Sequence, residues 1–390
     1  MPSDPSFIPL STPNIAGNEW QYVKECLDTS WVSTVGPYVD RFETEFAAYV
    51  GSPKAVACQS GTAALHVALQ VAGVQAGDEV LVSALTFIAP ANAILYLGAV
   101  PVLVDADTRY GLMDLDKVEE FLRQDCQRRD GATFNRKTGA RVAAIVPVHV
   151  LGHPLDMDRL MALADEFCFA VIEDATESLG STYKGKSTGT LGHAGCFSFN
   201  GNKIMTTGGG GMIVTSNQDW ARRAKHLTNQ AKVDPVEYEH DEAGYNYRLT
   251  NVQAAMGVAQ LERMAEFMAV KRQIARRYHE ALAQVPGISI IEEPAHSQSN
   301  WWLFTARIDA AEFGCDSRAL MQALAQRNIQ SRPLWRPLHM GPPHAGRQLL
   351  GDGSVAQGFS RTALSLPCST HLSEAAQARV TDAIREIAGS

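Results

Sequence analysis

Short apolar runs recur through the first half of the chain, separated by amphipathic stretches. Residues 55–58, 79–83, 100–105, 142–148, 170–174, 195–199 and 211–215 are apolar almost throughout and mostly β-branched. Runs of this length are too short for helices, and an unbroken apolar reading fits strands covered on both faces. Between them, 62–74 is rich in Ala and Leu and ends among glycines, while 156–167 opens on Asp and carries apolar residues at helical spacing. This alternation predicts an α/β fold: a doubly wound, mostly parallel seven-stranded sheet with right-handed crossovers.

From about residue 251 the texture changes. Residues 251–285 read as one or two long helices, followed by short strands near 288–292 and 302–308 and by helices over 317–327 and 373–387. The expectation is a large α/β domain over 1–265 and a small α+β C-terminal domain over 266–390, a division suited to 390 residues. The polar, basic stretch 123–141 reads as a solvated surface insertion.

Composition narrows the function classes. Hydrophobic residues make up 45% and charged residues 19%, as in ordinary globular proteins, and a net charge of −8 gives no reason to expect nucleic acid or an anionic membrane as a partner. No apolar run reaches the length of a membrane span, and residues 1–13 lack the basic-then-apolar order of an export signal. The seven cysteines form no CxxC pair, which suits reduced thiols in a cytoplasmic protein. His149 and His153 are four apart, but Gly152 and Pro154 oppose the helix that would put them on one face; no metal site is expected.

Three local patterns carry candidate chemistry. Ser60-Gly61-Thr62 follows a strand and opens a helix, where small residues let N–H groups and hydroxyls close on a phosphate. Alone it is a minority case for phosphate binding, because Ser and Thr cap helices routinely. Ile172-Glu173-Asp174 ends a strand, where α/β sheets bind ligands; Asp174 suits a protonated ring nitrogen and equally a helix cap, with Glu177 and Ser178 within reach of the same ligand. Lys203 stands just past a strand end and before Gly208-Gly209-Gly210-Gly211. A desolvated lysine there suits Schiff-base chemistry, with an exposed lysine on a flexible loop as the alternative. Lysine before the glycines excludes a P-loop.

In this order, with Lys203 29 residues after Asp174, the three patterns resemble fold type I enzymes that use pyridoxal 5'-phosphate (PLP). The segments 36–42, 60–65, 86–92, 147–156, 172–180, 196–203 and 244–251 further resemble the DegT-type nucleotide-sugar aminotransferases, nearly over the whole length. The resemblance implies that Gly61, Thr62 and Ser198 bind the PLP phosphate. It implies that Phe87 stacks on the ring, Asp174 pairs with the ring nitrogen and Glu177 lies near the phenolic oxygen, where many relatives have Gln or His. Lys203 would carry the cofactor and shuttle the proton. Asn246 would reach the phosphate of a neighbouring subunit, which implies a homodimer with shared active sites.

On the substrate side the resemblance points to Ser33, Thr34, His149 and His339, the last balanced against a plain surface histidine. Arg248 suits a diphosphate, with an interface ion pair as the alternative. Trp301 and Trp302 read as packing for the small domain. Phe199-Asn200-Gly201-Asn202-Lys203 and the 123–141 insertion are most similar to enzymes that aminate UDP-4-keto-6-deoxy-N-acetylglucosamine at C4. The implied reaction uses L-glutamate as donor and passes through pyridoxamine 5'-phosphate (PMP). Other acceptors, GDP- or dTDP-linked and ketonic at C3 or C4, stay open. Lys203 opposes a sugar dehydratase, which has histidine there, and the lack of a basic DNA-binding segment opposes a PLP-binding regulator.

Overall fold

The seven expected strands form: β1 (Lys54–Cys58), β2 (Glu79–Ser83), β3 (Val100–Val104), β4 (Val142–Val146), β5 (Ala170–Asp174), β6 (Ala194–Ser198) and β7 (Gly211–Thr215). The computed structural model describes residues 7–234 and 236–388. The part of the export-signal expectation that falls on residues 1–6 lies outside them. Successive side chains enter separate apolar layers: Val80 and Val82 pack with Leu65 and Leu69, whereas Leu81 packs with Ile145 and Val171 on the other face. Burial on both faces is what the unbroken apolar runs require.

The sheet order is β1-β7-β6-β5-β4-β2-β3, and an eighth strand, Leu349–Leu350, joins β3 in parallel at the edge. From β6 to that edge all pairings are parallel; only β7 runs antiparallel, to β1 and to β6. The eighth strand was not expected, because two residues carry no readable period.

The expected helices form with small shifts. Gly61–Val71 is capped by Ser60, Met157–Phe167 by Asp156. The 251–285 stretch divides into Asn251–Leu261, opened by a Thr250/Gln253 capping box, and Met264–Leu282. Further on, Ile288–Ile290, Phe304–Ile308, Ala363–Leu366 and Arg332–Pro333 make an antiparallel four-stranded sheet, flanked by helices Ser317–Ala325 and Glu374–Ala388. Among the described residues no helix is long and apolar enough to cross a membrane.

One expectation is corrected. The 123–141 stretch is not simply a solvated loop: Cys126–Arg129 and Ala132–Asn135 pair as a hairpin. Thr133 and Asn135 are fully buried. Thr133 donates to the Phe167 carbonyl, and Asn135 Nδ2 donates to Glu79 Oε2 at 2.9 Å. Polar residues that hold buried partners look like surface residues in a sequence.

Candidate active site

Strand β5 delivers Asp174 to its C-terminal end, 2% exposed. A turn follows instead of a helix, and Asp174 Oδ1 accepts the Thr176 N–H at 3.1 Å. Burial pushes its carboxyl above the usual range, against that hydrogen bond and the nearby Lys203 charge. Glu177 is also buried; desolvation raises its pKa to about 7, although Lys203 and the Leu151 N–H, 2.8 Å from Oε2, favour its anion.

Lys203 sits in the turn after β6, its N–H donating to the Asn200 carbonyl at 3.0 Å. Desolvation lowers the pKa of its amine, opposed by Glu177 and Asp174. A lysine so placed sheds its proton more readily than one in water.

The Gly61–Val71 helix closes the third side. The Ser60 hydroxyl accepts the Ala63 N–H at 3.1 Å, so Ser60 is the N-cap, while Gly61 and Thr62 line the cavity. A Cβ on Gly61 would lie 2.9 Å from the Ser198 Cβ, and one on Gly211 would lie 2.4 Å from the Ser60 carbonyl oxygen. Glycine at both positions lets the helix N-terminus meet the ends of β6 and β7. Gly61, Thr62, Ser198, Asp174, Glu177, Lys203 and Phe87 thus line one cavity of about 380 Å³. A phosphorylated pyridine aldehyde matches this set: N-terminal N–H groups and hydroxyls for a phosphate, a buried acid for a ring nitrogen, and a desolvated amine for the aldehyde. Phe87, 55% exposed, stands at the cavity wall.

Other expected residues lie elsewhere. Ser33, Thr34, Asn246 and Arg248 are not on this cavity; Asn246 is exposed, and Arg248 Nε is buried without a partner. One substrate-side expectation is corrected. His149 is sealed in the interior, Nε2 2.9 Å from Glu173 Oε2 and Nδ1 accepting the Leu155 N–H at 3.2 Å, so neither ring nitrogen is free for a ligand. His339 packs against Gly353 and meets Gln357 Nε2 at 3.2 Å, away from the cavity.

The tryptophan pair separates. Trp301 packs against His153 and Phe304 as expected, but Trp302 lines the cavity together with Trp335. Both were missed as site residues, as were Thr86 and Thr176. The threonines stand beside Phe87 and between Asp174 and Glu177, so adjacency was their only signal. The tryptophans arrive from distant segments, which no local pattern reports.

Comparison with known proteins gives the family. Residues 13–385 match the DegT/DnrJ/EryC1/StrS aminotransferase family. The GDP-perosamine synthase of Caulobacter vibrioides is 38% identical, covering 99% of each chain. That of Escherichia coli O157:H7 is 36% identical over 97% of this chain and 98% of the relative. Among solved structures, the aminotransferase TlmJ from Streptoalloteichus hindustanus superposes with a TM-score of 0.88 at 28% identity, over 98% of this chain and 99% of that one. Spr1654 from Streptococcus pneumoniae in its PMP form gives 0.87 at 26% identity, over 98% of each chain. The chain therefore belongs to the DegT/DnrJ/EryC1/StrS aminotransferase family, and it is a PLP-dependent sugar aminotransferase of fold type I.

Proposed function

We propose that the protein transfers the amino group of L-glutamate to a 4-keto-6-deoxy sugar carried on a nucleoside diphosphate. The observation that carries this reading is Lys203 and Asp174 converging on one cavity with the Gly61–Thr62 helix start. When bound, PLP supplies an electron sink for the charge left as a C–H bond beside nitrogen breaks.

The chain's own groups do the rest. Gly61, Thr62 and Ser198 hold the phosphate. Asp174 keeps the ring nitrogen protonated, a partner that also satisfies its buried carboxylate. Phe87 would cover the ring, and Glu177 would stand by the phenolic oxygen. The Lys203 amine would hold the cofactor through its aldehyde group and, when free, would take up and return the proton at the reacting carbon as base and acid. Ser33, Thr34, Asn246 and Arg248, which lie off this chain's own cavity, serve the site of a second copy in a homodimer. The large and small domains divide near residue 265, where the Met264–Leu282 helix starts.

For the acceptor, the GDP-perosamine synthases at 36–38% identity favour a GDP-linked sugar. Nothing in those relatives supports the UDP-4-keto-6-deoxy-N-acetylglucosamine expectation, which becomes the comparison arm. The test is a coupled assay with L-glutamate and each keto sugar in turn, detecting 2-oxoglutarate and the amino sugar. Turnover with the GDP-linked ketone and little with the UDP-linked one is expected; the reverse preference overturns the GDP assignment, and no turnover with any nucleotide sugar overturns the acceptor class. The free thiols and the absence of a spanning helix among the described residues are consistent with a cytoplasmic location.

A further inference from the structure

Lys203 has two states in the proposed reaction, joined to the cofactor and released from it. The released amine needs somewhere to rest. The charged groups facing it are Asp174, at the end of β5, and Glu177, in the turn beyond; the other segments lining the cavity bring no titratable side chain. An ammonium drawn onto Asp174 would occupy the place of the ring nitrogen.

The cavity holds another kind of partner. The Lys203 Nζ stands 4.1 Å from the centroid of the Trp302 ring. That indole is fixed from several directions. Its Nε1–H donates to the Asn202 carbonyl at 2.8 Å, in the turn that carries Lys203. It stacks on Trp335 at 6.4 Å and 11°. Its backbone N–H donates to Asn300 Oδ1 at 2.8 Å, and its carbonyl accepts from the fully enclosed Lys271 Nζ at 2.7 Å. A ring held this firmly on its backbone and its edge presents a fixed face to the amine.

We propose that Trp302 is a positioning residue for Lys203: while the lysine is free of the cofactor, the indole face holds its ε-amine, favours the ammonium it becomes on taking up a proton, and keeps it off Asp174. The inference rests on the proposed role of Lys203. Trp has the strongest cation-attracting face of the aromatic side chains. Loss of the ring therefore makes the amine easier to deprotonate, in the same direction as burial.

The experiment follows capture of added PLP by the full-length, cofactor-stripped protein across pH, by absorbance, since the capture rate tracks the fraction of neutral amine. In Trp302→Leu the apparent pKa of capture falls by about 0.5–1.5 units. In Trp302→Phe, which keeps a ring face but loses the bond to Asn202, it falls by less than half as much. Trp302→Met reads the same loss of the face should the leucine variant not fold. An unchanged pKa in the leucine and methionine variants overturns the inference, and so does a phenylalanine variant shifted as far as they are. Wild-type protein that takes up no PLP on Lys203 overturns the underlying role of the lysine together with the inference. Capture with a normal pH profile in every variant overturns the inference alone.

Discussion

The two buried acids of the cavity differ in what they wait for. Asp174 lies at the strand end with its pKa raised by burial, and a cation opposite it restores the anion. Asp174→Asn should lower turnover on the order of 10²–10³-fold while leaving the cofactor-free fold intact, measured by steady-state kinetics beside thermal melting. Glu177 gives a pH signature. Its folded pKa is about 7, against about 4.5 unfolded, so between those values the folded protein binds the extra proton. Stability of the cofactor-free protein therefore falls as pH rises through about 4.5–7. Asp174, shifted the same way, adds to the fall from lower pH. Melting temperatures across this window should show a shallower decline in Glu177→Gln. Asp174 and Lys203 were legible in the sequence because Asp174 closes an apolar strand and Lys203 lies in the turn after one, ahead of a run of glycines. His149 and His339 carried no such signal, and only packing showed that one is sealed behind Glu173 and the other is held by Gln357.

At the scale of elements, the strands read well because burial on both faces leaves an unmistakable apolar run, as in Val80–Leu81–Val82. The Cys126–Arg129/Ala132–Asn135 hairpin was hidden because its inward groups are polar. Thr133 is the hinge of that packing. Thr133→Val keeps the shape but leaves the buried Phe167 carbonyl without its donor, which should cost about 1–3 kcal/mol. A lowered denaturant midpoint with an unchanged slope would show the effect. The Leu349–Leu350 strand and the Trp335 segment escaped for a different reason: both are short pieces of the C-terminal half that return to the large sheet and its cavity, and their partners are remote in sequence.

For the whole molecule, the single chain leaves Trp20, Leu27, Trp31, Val32 and Val35 exposed. Apolar side chains grouped along residues 20–35 mark a surface that another copy can cover. The proposed homodimer places Ser33 and Thr34 of that segment at the partner's cavity. Sedimentation should return at least twice the chain mass, and Trp31→Asp should lower both the assembled fraction and the activity per chain; a fully active monomer would refute shared sites.

Whether Lys203 carries the cofactor is decided by borohydride reduction of the PLP-loaded protein followed by peptide mapping. The expected result is a pyridoxyl-phosphate mass on the peptide that contains Lys203, lost when L-glutamate is added before reduction. A label on a different lysine, or none on any, would contradict it.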